Sequence, residues 1–158
     1  MPLSHAQLIL CRPQSGLNDF LCEIERCCRY ADQHNRHVLV DSAYTYARTF
    51  HESFAKYFVS SRENLVLNGD EYSRRLEGAE VYPPALHGRL NSYATALVQI
   101  VGAAKGQRRF IAIDRESKQP LTFDFRKSYD EKLLVHQQPF GGELSIHALQ
   151  RMRLHDSV

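Results

Sequence analysis

The chain has 158 residues, 43% hydrophobic and 24% charged, with 20 basic against 18 acidic side chains and a net charge of +2. That length holds about one ordinary domain, long enough to bury a core without disulfides or metals, and the composition is that of a soluble globular protein. A charge so near balance, with no broad basic stripe, argues against nucleic acid or an anionic membrane as a partner.

Met1 to Gln7 is polar and only four apolar residues follow it, short of the roughly 7–15 that a secretory signal needs. No run approaches the roughly 18 apolar residues of a membrane span, so a cytoplasmic location is expected. Leu8-Ile9-Leu10-Cys11 predicts a first strand, and Arg12-Pro13-Gln14-Ser15-Gly16 a basic turn into a helix. Phe20, Leu21, Ile24, Cys27, Cys28 and Ala31 recur at the spacing of one helical face, with Glu23, Glu25, Arg26 and Arg29 largely on the other. Asn18 or Asp19 is the expected cap and His34-Asn35 the end. Val38-Leu39-Val40 predicts a second strand closed by Asp41. Strand, helix and strand in about 35 residues is the size of a βαβ unit, with parallel strands and an almost always right-handed crossover.

A second helix is expected over Arg48 to Tyr57, a third strand at Leu65-Val66-Leu67 and a short helix from Asp70 to Leu76. Val81-Tyr82-Pro83-Pro84 runs extended, because proline lacks an amide donor and restricts the residue before it. Ala94 to Val101 fits either helix or strand, and Gly102 to Arg109 reads as a mobile loop. Phe110 to Asp114 and Leu121 to Phe125 predict a β-hairpin. Leu133 to His136 predicts the last strand, before a Gly141-Gly142 turn and a terminal helix from about Leu144. No repeat, low-complexity tract or linker intervenes, so residues 1–158 are expected to form one α/β domain: a Rossmann-like, mostly parallel sheet flanked by helices, with a β-hairpin insertion.

The turn after the first strand is where an open α/β sheet holds polar or anionic ligands. Gly16 suits a positive φ or a close ligand approach, and Asn18 tolerates a left-handed turn. Arg12 offers fixed donors to phosphate or sugar hydroxyls, and Asp19 accepts from hydroxyls. The same residues equally suit plain helix capping, and the spacing is neither G-x-G-x-x-G nor G-x-x-x-x-G-K-[ST]. Cys11, Cys22, Cys27 and Cys28 have no C-x-x-C or zinc spacing and read as free thiols packed as small apolar groups.

Gly16-Leu17-Asn18-Asp19-Phe20-Leu21, then Arg29-Tyr30-Ala31, then Asn35-Arg36-His37-Val38-Leu39-Val40-Asp41 resembles the amino-terminal segment of GDP-fucose-dependent fucosyltransferases, the nodulation and α-1,6 enzymes above all. Those families carry a G-[FL]-[GN]-[DN] turn, a helix with W/C-R-[FY]-A, and a strand ending in Asp after a G/N-R dipeptide. The resemblance covers Leu8 to Tyr44 and departs at Asn18, where glycine is commoner. It implies the amino-terminal domain of a GT-B glycosyltransferase and inverting transfer of fucose from GDP-fucose to a glycan hydroxyl, with no metal or cofactor. Arg12, Gly16, Asn18 and Asp19 would face the cleft, with Asp41 and Tyr44 at the same rim. The family's later H-x-R-x-[TS]-D segment, which supplies arginine to the diphosphate, has no counterpart beyond His87-Gly88-Arg89-Leu90-Asn91. The chain is therefore expected to be an amino-terminal half, inactive alone, whose partners are a sugar nucleotide or glycan acceptor and either a second domain or another copy.

His136, at another strand end, is a base or ligand donor on one reading and a hydrogen-bonded packing residue on the other. Arg89 reads as a structural or surface residue more than a cleft group, and Asp114 and Asp124 as solvated turn ends more than an acid–base pair. Two other classes stay open: a non-catalytic binding or interaction module, and a small-molecule enzyme of flavodoxin-like form.

Overall fold

The computed structural model describes residues 3–43, 52–101, 108–139 and 145–157. Its centre is strand β1 (Leu8–Cys11), followed by helix α1 (Leu17–His34) and strand β2 (His37–Val40). Then come β3 (Phe58–Ser60), β4 (Leu65–Val66), β5 (Val81–Tyr82), β6 (Thr95–Val101), β7 (Arg108–Asp114) and β8 (Leu133–His136), and last helix α2 (Ser145–Leu149) and strand β9 (Met152–Leu154). Five strands form one sheet in the order β4-β2-β1-β8-β5, and every pair in it is parallel. The protein is thus an α/β domain on a parallel sheet.

Alternation along the strands explains the two-sided core. Ile9, Cys11, Val38, Val40 and Leu134 point to one face, where Phe20, Leu21, Ile24, Cys27, Cys28 and Ala31 of α1 pack on them. Leu8, Leu10, Leu39, Leu133 and Val135 point to the other, against Val81, Leu86, Leu90, Tyr93, Ala112 and Leu121. That second face is covered by short 3-10 turns, among them Gly69–Glu71, Ser73–Leu76 and Pro84–Leu86, and by strand residues. The four cysteines are free and buried, and burial pushes the Cys27 and Cys28 thiols up.

Helix α1 begins one residue before its expected caps. Gly16 is the N-cap, with no side-chain cap hydrogen bond, and its φ of −82° is one any residue adopts. The positive φ falls on Ser15 instead, at 82°. Asn35 ends the helix in the left-handed conformation, its N–H donating to the Ala31 carbonyl. The next residue, Arg36, is buried and donates to the carbonyls of Tyr129 (2.7 Å) and Glu131 (2.9 Å), tying the approach to β8 onto the start of β2.

Several expectations are corrected. Of the two readings of Ala94 to Val101, strand holds, over Thr95–Val101. The ladder partner of Phe110 to Asp114 is Gln99 to Thr95, not Leu121 to Phe125, and the later segment meets β7 through the bridge from Pro120 to Ile113 and the Leu121 N–H bond to the Ala112 carbonyl at 3.0 Å. Asp70 to Leu76 splits into two 3-10 turns. The terminal helix stops at Leu149, and Met152–Leu154 returns as a strand antiparallel to β3. Of the helix expected over Arg48 to Tyr57, the described part holds a 3-10 turn at Phe54–Lys56. Residues 102–107 and the Gly141-Gly142 turn lie outside the described residues.

Gly69 fixes the edge beside β2. A Cβ there would sit 2.7 Å from the Val40 carbonyl carbon and oxygen and 2.8 Å from the Leu39 carbonyl carbon, a backbone clash that no rotamer relieves. Gly69→Ala is expected to cost about 2 kcal/mol, lowering the melting temperature by roughly 4–8 °C. A thermal melt within a degree of the parent would show that the contact is not as close as described.

Candidate functional site

The strand order runs outward from β1 in both directions, to β2 and β4 on one side and to β8 and β5 on the other. The carboxyl ends of β1 and β8 therefore flank a topological switch point, the place where open parallel sheets leave a crevice for a ligand. Backbone bonds hold its base, from Arg12 N–H to the His136 carbonyl and from Asp41 N–H to the Cys11 carbonyl, both at 2.8 Å. Residue parity then sends Arg12 and Gln137 to one face of the sheet and His136 to the face under α1.

On the first face Arg12 is fully buried. Its Nε donates to Asp41 Oδ2 at 2.9 Å, and its Nη1 to the Leu90 carbonyl at 2.6 Å and to the Tyr93 hydroxyl at 3.0 Å. Burial works to lower the Arg12 pKa, but the pull of Tyr93 and Asp41 outweighs it and leaves it raised. The Tyr93 hydroxyl donates onward to Gln137 Oε1 at 2.5 Å, and Gln137 Nε2 donates to Thr95 Oγ1 at 2.9 Å. One network thus joins the ends of β1, β2, β8 and the base of β6.

Under α1, His136 is also fully buried. Its Nε2 meets the Glu23 Oε2 carboxylate oxygen in a close contact, and its Nδ1 lies 2.5 Å from Thr122 Oγ1. The Phe125 ring stands edge-on to the imidazole at 5.1 Å between centroids, and the Arg26 guanidinium covers the other side of this aromatic group, 4.3 Å from the Phe125 centroid.

Among the expected site residues, Arg12 and Asp41 form one ion pair, and His136 joins them through the β1–β8 backbone. Arg12 is held through its Nε and Nη1 by Asp41, the Leu90 carbonyl and Tyr93, and His136 through both ring nitrogens by Glu23 and Thr122. Gly16, Asn18 and Asp19 line the rim at the start of α1, where Asn18 is exposed and Asp19 half-buried. Asn18 Nδ2 reaches Cys22 Sγ at 3.8 Å, and Asp19 Oδ2 lies 3.9 Å from where a Gly16 Cβ would be. Tyr44 lies outside the described residues.

The sequence reading missed Glu23, Thr122, Tyr93, Gln137 and Gln14. Glu23 carried a signal: it lies three residues after Phe20 and four before Cys27, so it sits on the apolar stripe and is fully buried there. Gln14, in the turn after β1, is 2% exposed, yet neither its amide nitrogen nor its oxygen has a hydrogen-bond partner, and Glu23 Oε1 is likewise bare. Arg89 and Asp114 form a structural pair: the Arg89 guanidinium holds both carboxylate oxygens, at 2.9 and 3.0 Å, and the Asp114 side chain is 1% exposed. Asp114 is therefore no solvated turn end. Asp124 is held down to about 2 by Arg126.

A cavity of about 560 Å³ opens toward the amino-terminal ends of β1 and β8, between Leu3, Leu8, Leu39, Tyr72, Leu76 and Lys132, at the opposite end of the sheet from Arg12 and His136. Among the described residues no group of three His, Cys, Asp or Glu side chains is arranged to hold a metal ion, and no helix is long and apolar enough to cross a membrane. No protein-family model matches the chain, and neither a curated protein nor a solved structure matches it.

Proposed function

We propose that this domain forms one wall of a sugar-nucleotide or glycan-acceptor cleft of the fucosyltransferase type, with the ligand seated at the carboxyl ends of β1 and β8. The observation that carries this reading is Gln14. A buried amide with both polar atoms bare costs about 1–3 kcal/mol for each group, and Gln14 sits in the turn where an open α/β sheet receives its ligand. A sugar presents hydroxyls that both donate and accept, which is what one carboxamide needs on its two ends.

Arg12 then has a different task from the one first expected. Held by Asp41, Tyr93 and the Leu90 carbonyl, it fixes the turn that carries Gln14 and leaves ligand contact to Gln14 and to the rim residues Asn18 and Asp19. His136 is held under α1 by Glu23 and Thr122 in the same way. Fucose transfer from GDP-fucose would draw its diphosphate stabilisation from arginines other than Arg12.

Titration of GDP-fucose, GDP and a glycan acceptor into the isotope-labelled chain tests the reading. Amide shifts are expected to concentrate at residues 14–19, and Gln14→Ala is expected to weaken binding roughly 5–10-fold, about 1–1.4 kcal/mol for one lost hydrogen bond. Absence of any shift there with all three ligands at millimolar concentration would remove the proposal.

A further inference from the structure

The cavity at the amino-terminal ends of β1 and β8 lies across the sheet from the crevice, so what it holds is independent of the cleft reading. Its volume of about 560 Å³ falls within the roughly 300–1,000 Å³ of small-molecule pockets. Two short 3-10 turns, Leu3–His5 and Ser73–Leu76, cover this corner of the sheet, and they span far less of it than the 18-residue α1 does on the other face. Leu8 and Leu39, both buried, close the space from the sheet side, and the half-buried Leu3, Tyr72 and Leu76 wall it.

Its charge is one-sided. Arg75 and Lys132 line it, and among the described residues no Asp or Glu does. Lys132 is half-buried and its Nζ donates to the Ser4 carbonyl at 2.6 Å, which holds the ammonium at the cavity wall with two N–H donors left over. Arg75 is exposed; among the described residues its guanidinium makes no ion pair or hydrogen bond, and its central carbon stands 6.0 Å from the Tyr72 ring centroid. The acidic neighbours of both cations along the chain are engaged elsewhere. Glu71 Oε2 accepts from Asn68 Nδ2 at 2.9 Å, Glu77 Oε2 accepts from Asn91 Nδ2, and the charges of Asp130 and Glu131 bear on Arg36.

We propose that this cavity binds a small organic anion with an apolar body, its carboxylate or phosphate head on Arg75 and Lys132 and its hydrocarbon part against Leu3, Leu8, Leu39 and Leu76. A guanidinium fork takes either head group through two parallel hydrogen bonds, and aliphatic walls gain when hydrocarbon displaces the water on them. An inorganic anion would use the cations and leave the leucines wet. A neutral hydrocarbon would do the reverse, and an organic cation would meet two like charges.

Titration of octanoate, octyl phosphate, octanol, octylammonium and inorganic phosphate into the full chain, followed by NMR of its leucine methyls, tests this. One or both of the octyl anions is expected to shift the Leu3, Leu8, Leu39 and Leu76 methyls saturably at millimolar concentration or below, and the ratio of their affinities identifies the preferred head group. Octanol, octylammonium and inorganic phosphate are each expected to bind at least about tenfold more weakly, as befits the loss of either the charged hydrogen bonds or the apolar contact. Arg75→Gln, at an exposed side chain with no bond to lose, is expected to weaken the octyl anions about tenfold and to leave the melting temperature unchanged. Absence of shifts at these leucines with both octyl anions overturns the inference. So does octanol, octylammonium or inorganic phosphate binding as tightly as the octyl anions, or an Arg75→Gln chain that keeps the wild-type affinity.

Discussion

Asp41→Ala is expected to destabilise the protein by about 3–5 kcal/mol, because it leaves the Arg12 guanidinium charged in a site with no water access. For a chain of this length that is a fall of roughly 6–20 °C in melting temperature. The carbonyl of Leu90 and the hydroxyl of Tyr93 still accept from Nη1, but neither supplies a negative charge. Breaking the pair from one side is worse than removing it. The double replacement Arg12→Met with Asp41→Leu is therefore expected to recover part of the loss, since the stranded charge goes too. A single variant that melts with the wild type would show that Arg12 reaches solvent.

At the far end of β7, Asp114→Asn is expected to cost about 2–3 kcal/mol at neutral pH. The carboxylate accepts two bonds from Arg89 and further bonds from the backbone N–H groups of Ser117 (3.0 Å) and Glu116 (3.4 Å), closing the turn after β7. The Arg89 hydrogen bonds hold its pKa well below the usual carboxylate range, against the opposing effect of burial. A depressed carboxylate stabilises the fold above its unfolded pKa of about 3.9, and that stabilisation is lost as pH falls through the lower folded value. The gap between wild type and variant in urea unfolding is thus expected to be constant from about pH 5 to 8 and to shrink below about pH 4. A gap that is unchanged or larger at pH 3 would contradict the assignment.

How much of this was legible in the residues depends on which interactions decide each element. The β1–α1–β2 unit was readable because Leu8 to Cys11, the stripe from Phe20 to Ala31 and Val38 to Val40 are each patterned by burial against a neighbour close in sequence. β8 was readable as an apolar run, although nothing local says that it lies beside β1. β9 was not: Met152-Arg153-Leu154 is three residues at the end of a helical pattern, made a strand by Phe58–Ser60, about ninety residues earlier in the chain.

At the site, Arg12 and Asp41 were found because both close a strand, and their ion pair follows from the parallel register. Glu23 was assigned to the solvated face by its charge alone, and His136, its partner, is more than a hundred residues away. The left-handed residue of the turn was expected at Gly16 and is Ser15, since glycine permits that conformation but does not require it. Gln14 drew no notice because an unpaired buried amide is visible only once the surrounding chain is in place.

The position of β8 sets an order of events during synthesis. Strand β1 pairs on one side with the strand beginning at His37 and on the other with the strand beginning at Leu133. A growing chain completes the first pairing early, whereas the second edge of β1 stays open until the ribosome has added about a hundred further residues. Through that interval an apolar strand with unpaired backbone groups is available to the wrong partner. The loop closure that ends it is long-range, so refolding of the whole domain is expected to be slow compared with that of a helical protein of the same size.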